Sequence, residues 1–325
     1  MLKRLIIYML IGTVITVAPL YYVNNVLLSD TNVIIEEKSG KILPISASLN
    51  VKVPAEAKNI SLLYDRKNLI YLNSGNLYIK NIEKDTILST VVENTPVLYA
   101  RPLDDRDIIM YFTYDQNKLE IKTFDVNKGE KTQQKSITVK NFYQIKNLKY
   151  SSLTNLIYIN VVINENQVFK DKVYRVDIMK DISLYTVNKE ISQLELLNSK
   201  DTVVYQNVLN NVYIKGKQFE YENYKEFKLL GVDKNDSIYL LALNNKGTVI
   251  AVKNGSIQKL QQLDNINFTD IINRDNKIYL IYKDYILDLI DNKKIKISPD
   301  VKIVDINKSS ILLENTKNEI TFEKM

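Results

Sequence analysis

The 325-residue chain contains no cysteine, no tryptophan and no histidine. It can therefore form no disulfide, it has no thiolate nucleophile or imidazole base, and it lacks the commonest protein ligands of zinc. Much catalytic chemistry is excluded by these absences. Glycine is also rare, with 8 residues in the whole chain. We therefore expect asparagine to occupy most of the turn positions that need a positive φ angle.

The first thirty residues predict a membrane anchor. Lys3 and Arg4 precede a stretch that is apolar from Leu5 to Val23. A helix of that length spans about 28 Å, which is close to the hydrocarbon thickness of a bilayer. The nearest small-residue cleavage pattern ends at Ala18 and is followed by Pro19, which generally blocks signal peptidase. We expect an uncleaved transmembrane helix over residues 5–23; a cleaved signal peptide and a buried core helix are the alternatives.

The charges around this segment predict its orientation. No basic residue follows the apolar stretch until Lys38, so the positive-inside rule places residues 1–4 in the cytoplasm. Residues 24–31 are then a juxtamembrane linker, and residues 32–325 lie outside a plasma membrane that the chain crosses once. Because so little of the chain would remain inside, any signal would have to pass through a partner protein.

The rest of the chain repeats one pattern. A turn rich in Asn, Asp or Lys leads into a short apolar core that contains a tyrosine, and further short alternating segments lie before and after it, as is typical of strands joined by turns. The tyrosines are Tyr71, Tyr111, Tyr158, Tyr205, Tyr239 and Tyr279, and Leu312 takes this place in a weaker seventh copy. Four antiparallel strands in about 40 residues are the blade of a β-propeller.

The fold predicted over residues 32–325 is thus an all-β propeller of four-stranded antiparallel blades. Seven blades fit the length best, while the irregular spacing permits six or eight, or a propeller fragment beside a small second domain. The last unit, from Val301 to Met325, has room for three strands only. Because a closed ring removes an unpaired edge strand, we expect residues 32–43 to add the fourth strand of the last blade.

The region 32–325 resembles bacterial β-propellers of the broad TolB, YncE and dipeptidyl-peptidase types in repeat length and in an Asn/Asp-x-Ile-Tyr-Leu core, such as Asp236 to Leu240. It has no Trp-Asp or Gly-His pair of the WD repeat, no Gly-Gly pair of the kelch repeat, and no Gly-x-Ser-x-Gly of the prolyl peptidase hydrolase domain. The resemblance implies a propeller whose work is to hold a partner.

Ligands of such propellers usually gather on the face formed by the turns between the second and third strands and by the connections between blades. The predicted turns are residues 73–76, 114–117, 164–171, 207–210, 244–247, 283–284 and 315–318. The candidate partner contacts on them are Tyr114, Asp115, Phe169, Lys170, Lys246, Lys283 and Asp284. Phe169 is the foremost, because exposed aromatic residues anchor interfaces; alternatively it packs back onto its own strand.

No catalytic residue, metal site or cofactor is predicted. The run Asp233 to Ser237 begins like a calcium loop, but Ile238 replaces the required glycine and no glutamate closes the loop. The acidic run from Asp104 to Asp107 is interpreted as a solvated turn. Basic residues are scattered and the net charge is +6, so nucleic-acid binding is not expected, whereas a weak attraction to anionic lipid or wall polymers is.

The function predicted from the sequence is a non-enzymatic, membrane-anchored, extracytoplasmic propeller that binds or scaffolds another envelope or membrane protein. Two alternatives come from other classes. One is a propeller hydrolase or lyase that acts on a glycan or lactone with carboxylates in the central channel. The other is a sensor subunit of a transmembrane signalling partner.

Overall fold

The computed structural model describes residues 47–324 except 178–180, 186–189, 223, 225, 244–246, 275–276, 308 and 316–318. These residues form 28 β-strands. No helical segment in the described part is long and apolar enough to cross a bilayer. The predicted span, residues 5–23, lies outside the described residues.

The strands form seven sheets of four antiparallel strands, which are the blades of a β-propeller. Strand β1 is Ala47–Val51. Blade 1 is β2 (Lys58–Leu62), β3 (Asn68–Asn73), β4 (Asn76–Asn81) and β5 (Thr86–Val91). Blade 2 is β6 (Val97–Pro102), β7 (Ile108–Asp115), β8 (Lys118–Asp125) and β9 (Glu130–Thr138). Blade 3 is β10 (Phe142–Ser151), β11 (Leu156–Glu165), β12 (Val168–Asp177) and β13 (Ile182–Tyr185).

The remaining blades follow in the same order. Blade 4 is β14 (Ile191–Leu196), β15 (Val203–Asn207), β16 (Val212–Ile214) and β17 (Lys217–Gln218). Blade 5 is β18 (Phe227–Val232), β19 (Ile238–Ala242), β20 (Thr248–Lys253) and β21 (Ser256–Gln262). Blade 6 is β22 (Asp270–Arg274), β23 (Lys277–Ile281), β24 (Tyr285–Asp288) and β25 (Lys293–Lys296). Blade 7 is β26 (Val301–Asn307), β27 (Ser310–Asn315), β28 (Ile320–Lys324) and β1.

The repeated tyrosine core is the second strand of each blade, as the sequence predicted. All six tyrosines, and Leu312 in blade 7, lie on these strands. Successive side chains of a strand point to opposite faces of its sheet. In blade 3, Ile157 and Ile159 pack towards blade 2, whereas Leu156 and Tyr158 pack towards blade 4. These strands are apolar at nearly every position because a neighbouring blade covers each face.

Seven separate apolar cores hold the described blades together, one at each of the seven boundaries between neighbours. The core between blades 7 and 1 contains Leu312 and Phe322 from one side and Leu69 and Tyr71 from the other. Since that boundary joins the last blade to the first, the ring is closed. The predicted count of seven four-stranded blades is confirmed.

An N-terminal strand completes blade 7, but it is not the predicted one. Strand β1 pairs antiparallel with β28, with Leu49 opposite Phe322 and Val51 opposite Ile320. Residues 32–43, which we expected in this place, lie outside the described residues. The segment Ala47–Val51 directs only alternate apolar side chains to the core, so its signal in the sequence is weaker than that of the more apolar stretch before it.

Asparagine supports many turns, but it does not occupy most of the positive-φ positions as we expected; among the described residues it holds 8 of 22. In the described residues it is the most frequent residue other than glycine at positive φ, at positions 59, 117, 141, 155, 166, 210, 254 and 292. The Asn254-Gly255 pair forms the two-residue turn between β20 and β21, with φ angles of 51° and 84°. Both angles suit the tight turn that matches strand twist in a hairpin.

Closure of the ring by β1 makes a testable prediction. Val51 is 3% exposed in the core between blades 7 and 1, so Val51→Asp should lower the free energy of unfolding by on the order of 3 kcal/mol, because it buries an unpaired charge. Asn50 is exposed on the same strand, and Asn50→Asp is the control. Urea unfolding of the two variants checks this; equal losses would mean that β1 does not close the ring.

Candidate functional site

The first strands of the blades surround a central channel. Contacts between the neighbouring strands β2, β6, β10, β14, β18, β22 and β26 run around the whole ring. We call the face with the turns between second and third strands and the connections between blades the upper face. The lower face carries the turns between first and second strands and between third and fourth strands. The channel joins the two faces.

Polar turns of neighbouring blades are interlocked on the lower face. The carboxylate of Asp107 in blade 2 accepts a hydrogen bond from the backbone N–H of Asp65 in blade 1 (2.8 Å), and that of Asp236 in blade 5 accepts one from the N–H of Ser199 in blade 4 (3.1 Å). Asp233 accepts hydrogen bonds from the backbone N–H groups of its own turn. Partly buried backbone N–H groups thus donate to the carboxylates of Asp107, Asp233 and Asp236, so the run 104–107 is not simply the solvated turn that the sequence suggested.

The lower end of the channel is closed around Arg274, on β22. Its guanidinium donates hydrogen bonds to the carbonyl oxygen of Leu62 (2.6 Å), to Ser61 Oγ (3.0 Å) and to Asp305 Oδ2 (3.1 Å). Its Nε lies 3.0 Å from Asp104 Oδ1. One buried side chain of blade 6 thus contacts blades 7, 1 and 2. The buried charges of Arg274 and Asp305 are compensated by each other.

A second arginine lies in the same part of the channel. Arg101, on β6, donates a hydrogen bond to the carbonyl oxygen of Leu148 (3.1 Å), and its other terminal nitrogen is 4.0 Å from Asp104 Oδ2. Burial disfavours the charged form, but the neighbouring carboxylates, Asp104 first, raise the pKa of Arg101 above its ordinary value. The group is a permanent cation held between blades 2 and 3.

A network that joins four blades crosses the middle of the channel. Glu195 on β14 is 4% exposed, and the ammonium of Lys149 on β10 lies 2.8 Å from its carboxylate. The side-chain amide of Asn273 on β22 donates to Glu195 Oε1 (2.8 Å) and to the carbonyl oxygen of Leu230 (3.0 Å). A Cβ atom at Gly231 would lie 2.1 Å from Asn273 Oδ1, so only glycine leaves room for this amide.

The upper mouth of the channel is a polar cavity of about 460 Å³. The side chains around it that carry amide groups are Asn147, Gln193, Gln206, Asn210 and Asn273, and Lys149, Glu195, Lys228 and Asp270 add charges. This volume lies within the range of small-ligand pockets.

Three carboxylates of the channel are paired with cations, whereas Asp270 at the mouth has no cation within 4.0 Å among the described residues. Glu195 faces Lys149, Asp305 faces Arg274, and Asp104 lies between Arg101 and Arg274. A hydrolase of the predicted alternative kind needs carboxylates that act on a substrate as acid, base or nucleophile. Among the described residues there is also no group of three or more Asp and Glu side chains that could hold a metal ion. The paired charges link strands of different blades in the channel wall.

The exposed apolar side chains are concentrated on the upper face. Those of the described residues on that face are Val92, Leu98, Tyr143, Val168, Phe169, Val208, Leu209 and Ile266. The lower face has Tyr64 and Leu153, and the other large ones lie on outer strands. Exposed apolar groups collected on one face mark an interaction surface.

Phe169, the foremost sequence candidate, is exposed on the upper face. Its side chain is 54% exposed, and its ring centroid lies 4.7 Å from that of Tyr143, which is 55% exposed. The predicted loop 164–171 is shorter than expected, because β11 and β12 extend to a two-residue turn at Asn166-Gln167. Sequence reasoning missed Tyr143. This residue lies near the start of β10, which is the first strand of its blade, and in none of the turns that the sequence predicted between second and third strands.

The other described candidates lie on the upper face in blades 2, 3 and 6. Tyr114 is half-buried, because its ring stacks on Phe142 (4.6 Å) and its hydroxyl donates to the carbonyl oxygen of Val139 (2.9 Å). Asp115 ends β7 and is exposed; Lys170 is exposed and pairs with Glu165 (2.7 Å). Lys283 and Asp284 are exposed in the turn of blade 6. Lys246 lies outside the described residues. Lys170 follows Phe169 on β12, whereas the candidates of blades 2 and 6 make no described contact with Phe169.

Comparison with known proteins supports the fold and nothing finer. No protein-family model and no curated protein matches the chain. The solved Myceliophteria thermophila Cps50 (Swd1) beta-propeller domain is similar, with a TM-score of 0.57 at 8% identity, over 87% of this chain and 100% of that one. An acylaminoacyl peptidase in complex with Z-Gly-Gly-Phe-chloromethyl ketone has a TM-score of 0.58 at 12% identity over 85% of this chain, which spans 51% of the peptidase chain. This protein is a seven-bladed β-propeller.

The close approach at Gly231 predicts a coupled pair. Gly231→Ala should displace the amide of Asn273 and lower the free energy of unfolding by about 2 kcal/mol. In an Asn273→Ala background the same change should cost about 1 kcal/mol less, because the clash is gone. Urea unfolding of the four proteins measures the coupling. Gly129→Ala, where a Cβ meets no atom within 4 Å, is the control for backbone strain; additive losses would contradict the contact.

Proposed function

We propose that this protein is a membrane-anchored, extracytoplasmic β-propeller that binds another protein of the bacterial cell envelope and acts as a scaffolding subunit. The binding surface is the upper face, centred on Phe169 and Tyr143 in blade 3 and on Val208 and Leu209 in blade 4. The anchor is the apolar segment 5–23, with the propeller outside the plasma membrane. The seven-bladed fold and the surface of the propeller support the binding role; the sequence alone supports the anchor.

The observation that carries the proposal is the difference between the two faces. On the lower face, polar turns use their hydrogen-bonding groups to tie blades together. On the upper face, large apolar side chains are left in solvent, and Phe169 and Tyr143 contact each other as an exposed aromatic pair with tilted rings. Burying such a pair in a partner would release apolar area from water, and aromatic anchors dominate the binding energy of many interfaces.

The channel supports binding more than catalysis. Three of its carboxylates, those of Glu195, Asp305 and Asp104, lie beside neighbouring cations, and no specific observation favours the hydrolase alternative. No specific observation on the propeller favours the sensor alternative.

Crosslinking in native membranes tests the upper face. Because the chain has no cysteine, a single cysteine can carry a maleimide photocrosslinker. Leu209→Cys on the upper face and Leu153→Cys on the lower face are matched, since the two side chains are 71% and 72% exposed. We expect one defined protein adduct from position 209 and none from position 153. Adding Phe169→Ser and Tyr143→Ser should reduce that adduct about tenfold or more, because the aromatic anchors are lost.

The unfolding midpoint of each variant controls for misfolding. Equal adducts from both faces, or an adduct from position 209 that survives the loss of both aromatic rings, would contradict a binding role of the upper face.

Cysteine labelling also tests the anchor and its orientation. In protoplasts, a membrane-impermeant maleimide should label Leu153→Cys, which the proposal places outside, and should label Leu2→Cys only after lysis. Both variants should sediment with membranes and stay there in alkaline carbonate. Labelling of Leu2→Cys in intact protoplasts, or recovery of the protein in the soluble fraction, would overturn the anchored arrangement.

A further inference from the structure

The upper mouth of the channel forms a cavity that could hold a ligand. The cavity of about 460 Å³ is lined by residues of blades 3, 4, 5 and 6. Its floor is the buried network of Glu195, Lys149 and Asn273. A ligand that entered from the upper face would meet this network. Val208, which is exposed on the upper face, also lines the cavity, so a protein bound on the apolar surface would cover the mouth.

Some side-chain amides of the mouth have hydrogen-bonding groups without a partner in the described part of the chain. In the described part of the chain, the side chain of Asn147 makes no hydrogen bond, and that of Asn210 accepts one from Gln206 (2.7 Å) while its own N–H groups donate none. Gln206, in contrast, both donates that bond and accepts one from the backbone N–H of Leu229 (2.8 Å). Free side-chain amides offer a donor and an acceptor together, which is the pattern that a peptide main chain requires.

Lys228, on β18, is a cation of the mouth that has no carboxylate within 4.0 Å among the described residues. Its ammonium lies over the ring of Phe268, 4.1 Å from the centroid. Burial lowers the pKa of Lys228, and Asp270 opposes this only in part. Lys149, by comparison, is paired with Glu195 at 2.8 Å. A carboxylate brought into the mouth would thus meet a partly desolvated ammonium that no carboxylate within 4.0 Å pairs with, although Asp270 also lies in this mouth.

We propose that the channel mouth holds an acidic peptide segment of the protein bound on the upper face, with a side-chain carboxylate on Lys228 and the main chain on the amides of Asn147 and Asn210. This inference rests on the proposed function and names the chemistry of the partner. The polar lining excludes an apolar segment, because the free amides and the ammonium would lose water without gaining partners. A charge-assisted hydrogen bond to Lys228 offsets that cost for a carboxylate.

Binding of labelled peptides to the purified full chain in detergent tests the assignment. The probes are a fluorescein-labelled peptide of alternating glycine and glutamate and its counterpart with glutamine in place of glutamate. Fluorescence anisotropy should show binding about tenfold or more tighter for the glutamate peptide. Lys228→Gln should remove this preference, Lys228→Arg should keep most of it, and Lys253→Gln should leave it unchanged. Lys253 is an exposed lysine of the same blade, at the lower end of β20.

Three results would overturn the assignment. The first is equal binding of the two peptides, the second is a glutamate preference that survives Lys228→Gln in a variant with an unchanged unfolding midpoint, and the third is tighter binding of trigalacturonate than of the glutamate peptide, which would indicate an acidic sugar. If any of these occurred while the crosslink from position 209 still required Phe169 and Tyr143, the channel assignment would fail and the proposed protein-binding function would stand.

Discussion

The pairing of β1 with β28 is the constraint on which the rest of the structure depends. Each blade is a small twisted sheet whose two faces are covered by its neighbours, and a sheet of this size with bare faces is not stable in water. By closing blade 7, β1 completes the core that contains Phe322 and Tyr71. All seven cores can then exist together, and every first strand contacts two others around the channel.

The two faces of the closed ring also differ in their interactions. The turns that precede the tyrosine cores lie together on the lower face, where the carboxylates of Asp107 and Asp236 accept backbone hydrogen bonds from the preceding blade. Arg274 extends this linkage through the channel to three other blades. The upper face has fewer such bonds among the described residues and carries most of the exposed apolar groups. A propeller whose lower face is held together by hydrogen bonds and whose upper face exposes apolar side chains suits a binding subunit. The polar mouth of the channel opens on that same upper face.

Much of the fold could be predicted from residues 47–324, because a repeated turn followed by an apolar-Tyr-apolar core is a local signal. It located the second strand of every blade, and the exposed position of Phe169 followed from its place near a turn. The identity of the closing strand could not be predicted in this way, because its sequence, ASLNV, is short and only alternately apolar. Tyr143 was missed as the neighbour of Phe169, since the two lie on different strands and meet only where β10 and β12 end on the upper face.

The sequence by itself determined the four-stranded blade, the approximate number of repeats and the asparagine-rich turns. These features depend on strand period, turn chemistry and burial on both faces, and each of these can be recognised within a few consecutive residues. Only the tertiary structure decided which charges meet. Glu195 and Asn273 are 78 positions apart, and Arg274 and Leu62 are 212 apart; none of these residues carries a local mark of its partner. They meet because closing the ring brings the first strands of non-adjacent blades to a common axis, and Gly231 leaves the space in which one of those contacts fits.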